Sequence, residues 1–176
     1  MGGNSNAGPE PLGVTDDWYV FVGTETLAEG RGPLSARPIE AAPRFDLRVE
    51  EGAPAFVGVD LLDDGDAVRA FSLHRGFDNL TGNAIVVSET VYERRLNQIG
   101  LPARIISEID ERSHYEYRAA TSRRLAELGA AINNVDNFEG IAVKRIDAQR
   151  VRIFIVSDDN FSDRQRTLLM AFDLTE

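Results

Sequence analysis

The sequence predicts an all-β fold of antiparallel sheets, and three observations predict it. The final stretch holds three apolar runs, Phe138–Val143, Ile153–Val156 and Leu168–Leu174, joined by short polar connections. Asp64-Gly65 lies between two further apolar runs, and Asp-Gly in that setting is among the strongest local hairpin signals. Elsewhere aromatic and β-branched residues gather into short runs bounded by Gly, Pro and Asp, the pattern of strands rather than of amphipathic helices.

Residues 1–13 have no basic segment followed by an apolar one, so they are not read as a signal peptide. They are expected to be a flexible lead-in, with the folded domain over 14–176. Trp18-Tyr19-Val20-Phe21-Val22 reads as a strand, rich in aromatic and β-branched side chains. Residues 28–43 carry several prolines and glycines and read as loop. Phe45-Asp46-Leu47-Arg48-Val49 alternates apolar and polar, as a half-buried strand does. Phe56–Leu62 and Val68–Leu73 flank the turn Asp63-Asp64-Gly65-Asp66, and Ala84–Val87 follows as a third strand. Ala103–Ile109 fits a further strand. Residues 118–128 are rich in Arg, Ala, Glu and Leu, so one short helix stopped by Gly129 stands as an alternative to strand there.

Composition narrows the function. A chain of 176 residues is long enough for one domain with a real core. The net charge of −10 argues against a nucleic-acid partner, because phosphate backbones need clustered Lys and Arg. It suits cation binding, and equally a solvated acidic surface. With no cysteine there is neither disulfide nor thiolate chemistry. No apolar run is long enough to span a membrane as a helix.

An internal repeat supports the fold. Val57–Leu62 lies over Glu139–Lys144 at an offset of 82 positions, and Ser72–Phe77 over Val156–Phe161 at an offset of 84. Each unit reads strand, tight turn, strand, polar loop, strand. Repeated antiparallel sheets of this kind are the signature of a β-propeller, here a partial one. An incomplete propeller leaves strand edges unpaired, which invites association.

The chemistry-bearing residues gather at strand ends. A hairpin about Asp147-Ala148-Gln149 brings Glu139 near Ser157 and Asn137 near Asp159, so two acidic clusters share one rim. Glu139, Asp158, Asp159 and Asn160 offer the oxygen ligands that Ca²⁺ takes. Glu139 and Asp158 are also candidates for acid–base work on an ester. The structural alternative is that these residues cap turns and bond backbone N–H groups. By the repeat, His74 and Arg75 occupy the equivalent rim of the preceding unit. His74 is then a candidate acid or base and Arg75 a candidate anion holder, since its guanidinium recognises phosphate with paired donors. A surface His beside an ion-paired Arg is the alternative. A serine-hydrolase triad is disfavoured: no Gly-x-Ser-x-Gly occurs and only two histidines are present.

Asp136-Asn137-Phe138-Glu139-Gly140-Ile141-Ala142, Val156-Ser157-Asp158-Asp159-Asn160-Phe161 and Gln165-Arg166-Thr167-Leu168-Leu169 together resemble the phytase-like family, described as having esterase-like activity of phytase. The likeness is specific over 135–174, looser over 55–135 and thin before 50. It departs at His74-Arg75, where a Glu-Arg pair belongs. The resemblance implies a propeller of about six blades, exported to the periplasm or secreted, so this chain is expected to hold roughly two to three blades as a C-terminal part. It implies a hydrolase acting on small phosphate or carboxylic esters, with a divalent cation such as Ca²⁺. A non-catalytic propeller module for binding or scaffolding, or an inactive fragment, is the competing expectation.

Overall fold

The computed structural model describes residues 9–14, 20–24, 31–37, 44–48, 55–78, 82–96, 115–129, 135–163 and 165–176. Among them the chain is all-β, with eleven strands in three antiparallel sheets. The first sheet runs β1 (Pro9–Val14), β2 (Val20–Thr24), β3 (Arg31–Arg37) and β4 (Arg44–Arg48) in order. The second runs β5 (Ala55–Asp63), β6 (Ala67–Asp78), β7 (Gly82–Leu96) and β8 (Tyr115–Leu128). The third holds β9 (Phe138–Asp147), β10 (Arg150–Ser157) and β11 (Leu169–Thr175). Every pairing joins neighbours in sequence, so each sheet is an up-and-down meander.

The sheets stack face to face, with β1 against β5, β5 against β9, and β4 against β8. The first strands of successive sheets therefore lie side by side, which is a partial propeller-like arrangement. The middle sheet is covered on both faces, so its strands read as nearly continuous apolar runs instead of alternating. Val57, Phe71, Leu73, Ile85 and Val87 on one face meet Phe138, Val151, Ile153 and Ile155 of the third sheet. On the other face Tyr92 packs beside Phe21 of the first sheet, with ring centroids 6.1 Å apart. Gly13 of β1 backs onto Leu61 and Val59 of β5, where it keeps the two backbones close.

The hairpin about Asp147-Ala148-Gln149 forms with the expected register from Val151 opposite Arg145 to Val156 opposite Gly140. At its end the register shifts, so Ser157 faces Phe138 and Glu139 is an extra, bulged residue. The same shift occurs in β5, where Val57 is bulged between Phe56 and Gly58. Val57 and Glu139 are thus equivalent, at the offset of 82 read from the sequence. In the next strand the offset of 84 is corrected. His74 faces Phe56 as Ser157 faces Phe138, an offset of 83. A slip of one residue exchanges the faces of a strand, so the counterpart of Asp158 is Arg75 and not His74.

Three local expectations are also corrected. Residues 31–37 form β3 and not loop. At Pro33 this strand pairs with β4 alone, because β2 reaches only Ser35–Arg37, so the missing proline N–H breaks no ladder bond on the β2 side. The short helix over 118–128 is replaced by β8, which pairs with β7 along nearly its full length. There Glu89 faces Arg123 across the ladder, and this pair supports the strand where helical spacing would have needed i,i+4 partners. The lead-in over 1–13 gives way to β1 from Pro9 onward. Residues 1–8, the strand expected over 103–109 and the start of the expected strand at Trp18-Tyr19 lie outside the described residues.

Gly58 marks a close approach of β9 to β5. A methyl group there would stand 3.0 Å from the Glu139 carbonyl oxygen and 3.1 Å from Ile141 Cγ2. Gly58→Ala is expected to destabilise the chain by about 1–3 kcal/mol through this overpacking. Urea unfolding of the two proteins checks it, and an unchanged midpoint contradicts the close approach.

Candidate functional site

The face of β6 that meets the third sheet carries Arg69, Phe71, Leu73 and Arg75, every second residue. Apolar contacts fill its centre and a charge stands at each end. Six residues of strand separate the two arginines by about 20 Å, which makes two distinct polar clusters.

The first cluster is built on Arg75. Its guanidinium reaches across to the third sheet and donates to both Asn137 Oδ1 and Glu139 Oε1. Asn137 closes the triangle by donating from Nδ2 to the same Glu139 oxygen at 2.7 Å. The bulge at Glu139 leaves this residue out of the ladder and turns it toward Arg75. Asn137 also links the two acidic segments, because its carbonyl accepts from the Asp158 amide at 3.0 Å. Asp158 follows the last residue of β10 and is exposed. Asn137 thus joins the segment that carries Glu139 to the one that carries Asp158.

Around this rim the motif residues bond mainly to backbone. Buried Asp136 accepts from the Asn137 amide at 3.0 Å and from the Arg166 amide at 2.9 Å. Buried Ser157 donates to the Arg166 carbonyl at 2.6 Å and accepts from the Leu168 amide at 2.8 Å. The three sequence motifs are thus knitted into one corner. Asp159 accepts from the Phe161 amide at 3.0 Å and Asn160 donates to Gln165 at 3.3 Å. Asn160 and Phe161 both adopt positive φ, 48° and 55°. Asn tolerates that conformation and Phe does so at a cost of roughly 1–2 kcal/mol. The Phe161 ring is fully exposed.

His74 is not on this rim. It is fully buried on the opposite face of β6, stacked on Phe56 with centroids 5.5 Å apart, and its Nε2 lies 2.9 Å from Ser72 Oγ. Consecutive strand residues point to opposite faces, so His74 and Arg75 do not form one anion-holding pair. Among the described residues, no three His, Asp or Glu side chains are grouped to hold a metal ion. In this arrangement Asp159 and Asn160 serve the turn that follows β10, so the four proposed cation ligands do not converge.

The second cluster was not anticipated. Arg69 is 7% exposed and Glu89 2%. They pair at 2.5 Å, Arg123 holds the other Glu89 oxygen at 2.6 Å, and Arg69 also bonds Glu176. Arg145 joins the group through Asp64 at 2.5 Å and Glu176 at 3.3 Å. The Arg69 guanidinium lies 5.1 Å from the Phe71 ring centre. An open recess of about 490 Å³ is lined by Arg69, Glu89, Val91, Thr121, Arg123 and Glu176. Burial opposes the Glu176 charge, but bonds from Arg69 and then Arg145 hold its carboxyl below the ordinary value. Between the clusters, Asp60 accepts from Val143 N at 2.7 Å and covers a bare amide on the free edge of β9. Burial raises the Asp60 carboxyl, against the lowering effect of its bonds from Val143 and Leu61.

Sequence reading missed Asp60, Arg69 and Glu89, because each acts through a partner twenty or more positions away. A charged residue inside an apolar strand run, as at Arg69, was the available signal.

A family model described as Phytase-like, esterase-like activity of phytase, matches residues 2–161. No curated protein and no solved structure matches the chain significantly.

Arg69→Met leaves the buried Glu89 held by Arg123 alone, and a loss of about 3–5 kcal/mol is expected in urea unfolding at neutral pH. A loss within error contradicts the network. The depressed Glu176 carboxyl contributes stability above its ordinary value of 4.5, and that contribution disappears as pH falls through the lower folded value. Glu176→Gln should therefore lower the urea midpoint at neutral pH, with the difference from the parent shrinking in acid. A difference that stays constant across this range rules out the linkage.

Proposed function

The chain belongs to the phytase-like family, a hydrolase-like group, and from that premise we propose that it acts on phosphate or carboxylic esters at the Arg75–Asn137–Glu139 rim. The observation that carries this reading is the convergence of a guanidinium, a carboxylate and a primary amide where two sheets meet, with Asp158 beside them. An incoming phosphate or carboxylate competes with Glu139 for the Arg75 guanidinium, whose planar donors fit such oxygens. Glu139, displaced from that bond, takes a proton from an attacking water. Asp158 stands one bonded residue away to carry the second proton transfer. Asn137 holds both acidic segments in place and orients Arg75.

Calcium is the cation that the resemblance implies, but Glu139, Asp158, Asp159 and Asn160 do not converge on one point in this arrangement. Binding would require the turn after β10 to give up its internal hydrogen bonds, so no step of the reaction is routed through the ion.

A second reading rests on a different observation. Asp136 and Ser157 are spent on backbone groups, and Glu139 on Arg75, as brackets between sheets would be. On that reading the domain binds or scaffolds and does no chemistry.

Hydrolysis of p-nitrophenyl phosphate and p-nitrophenyl acetate by the purified chain separates the two. Turnover above blank is expected, falling about 100-fold or more in Glu139→Gln with the fold retained by circular dichroism. An absence of turnover on both esters, with Glu139→Gln merely less stable, assigns the rim to structure. Calorimetric titration with millimolar calcium tests the ion. A saturable isotherm lost in Glu139→Ala supports it, and no saturable heat removes it.

A further inference from the structure

The recess beside the second charge cluster is lined by two rungs of the middle sheet. Arg69, Val91 and Thr121 stand opposite one another across β6, β7 and β8, and Glu89 and Arg123 form the next rung of β7 and β8. Residues two apart in a strand share a face, so all five lie on the side of the sheet that meets the third sheet. Glu176, the residue after β11, supplies the remaining wall.

Hydrogen-bond donors are in excess here. Glu89 is enclosed almost completely and has both oxygens spent, one on Arg69 and the other on Arg123. One buried carboxylate therefore stands between two guanidiniums. Glu176 brings a second negative charge, but it divides that charge between Arg69 and Arg145. A guanidinium carries five N–H donors. Among the described residues Arg123 bonds through Nε alone, to Glu89 at 2.6 Å, and its side chain is 58% exposed. Its two terminal amino groups are left over. Thr121 adds an exposed hydroxyl on the same face of β8, two residues or about 7 Å along the strand.

We propose that this recess binds a small oxyanion, a carboxylate or phosphate group, on the terminal amino groups of Arg123 and the hydroxyl of Thr121. The end of a planar guanidinium presents paired donors that match such oxygens. The volume of about 490 Å³ admits a ligand of small-molecule size, and Val91 gives it an apolar contact. Glu176 is the internal competitor: its charge opposes the anion, and its turning to Arg145 alone releases a donor of Arg69. The Arg69–Glu89 pair stays intact throughout. Arg75 lies about 20 Å away along β6, and the inference does not rest on the chemistry proposed there.

Amide chemical shifts of the purified, isotope-labelled chain, titrated separately with inorganic phosphate and with acetate, test the site and locate it. Val91, Thr121 and Arg123 signals are expected to move saturably. The tighter of the two anions identifies the ligand group as phosphate or carboxylate. Arg123→Met should weaken binding about tenfold or more, with the circular dichroism spectrum unchanged because Glu89 keeps Arg69. Thr121→Val, a change on the surface, should weaken it less. Glu176→Gln should tighten it several-fold. Shifts confined to Asn137, Glu139 and Asp158 place the anion at the Arg75 rim and overturn the proposal. So does the absence of saturable shifts with either anion, or an affinity that Arg123→Met and Thr121→Val both leave unchanged.

Discussion

One face of one strand organises this molecule. Arg69, Phe71, Leu73 and Arg75 stand in a row on β6, and the third sheet is held to that row by grease in the middle and charge at both ends. The apolar centre supplies the driving force, since burying a Phe or Leu side chain is worth roughly 1.5–3 kcal/mol. It is not directional. The arginines add the direction: a third sheet shifted along β6 would leave Arg69 or Arg75 facing apolar side chains. Asp60 adds a third fixed point by engaging Val143 N. The bulge at Glu139, which β5 also has at Val57, lets that residue turn across to Arg75.

The rim that carries the proposed chemistry is therefore also a joint. Its residues have two duties, and the two compete. Glu139 can accept a proton from water only if its bond to Arg75 yields, and Arg75 can hold an anion only by the same exchange. The Arg75–Glu139 contact is only half-buried, so its Coulomb gain is screened and it fixes the fit of the two sheets more than it adds stability. At the far end of β6, Arg69 and Glu89 are enclosed almost completely and paired on every side. That cluster has the character of a structural bracket, whereas the Arg75 cluster lies nearer to solvent and beside an exposed acidic turn.

Much of the architecture is visible in the chain itself. The hairpin from Gly140 to Val156, its register and the equivalence of Val57 with Glu139 follow from apolar alternation and the Asp-Gly and Asp-Ala-Gln turns, whereas the bulge at Glu139 does not. What local pattern misreads has identifiable causes. The Arg-Ala-Glu-Leu composition of 118–128 favours helix in isolation, but β7 offers a complete ladder and opposite charges in register. Gly32 and Pro33 look like loop residues, yet they lie where β3 needs only one neighbour. His74 was placed on the rim because the repeat was aligned one residue too far along, and in a strand one residue decides inside from outside. The pairing of Arg69 with Glu89 depends on which strands become neighbours, and no local window contains that information.

The central claim is that the third sheet is locked to β6 through Arg75 and Glu139, and a double-mutant cycle on this pair tests it most directly. Urea unfolding of the parent, Arg75→Met, Glu139→Gln and the double variant gives the coupling energy. The account predicts about 1–3 kcal/mol of favourable coupling. Effects of the two substitutions that simply add would show that the pair does not hold the sheets together.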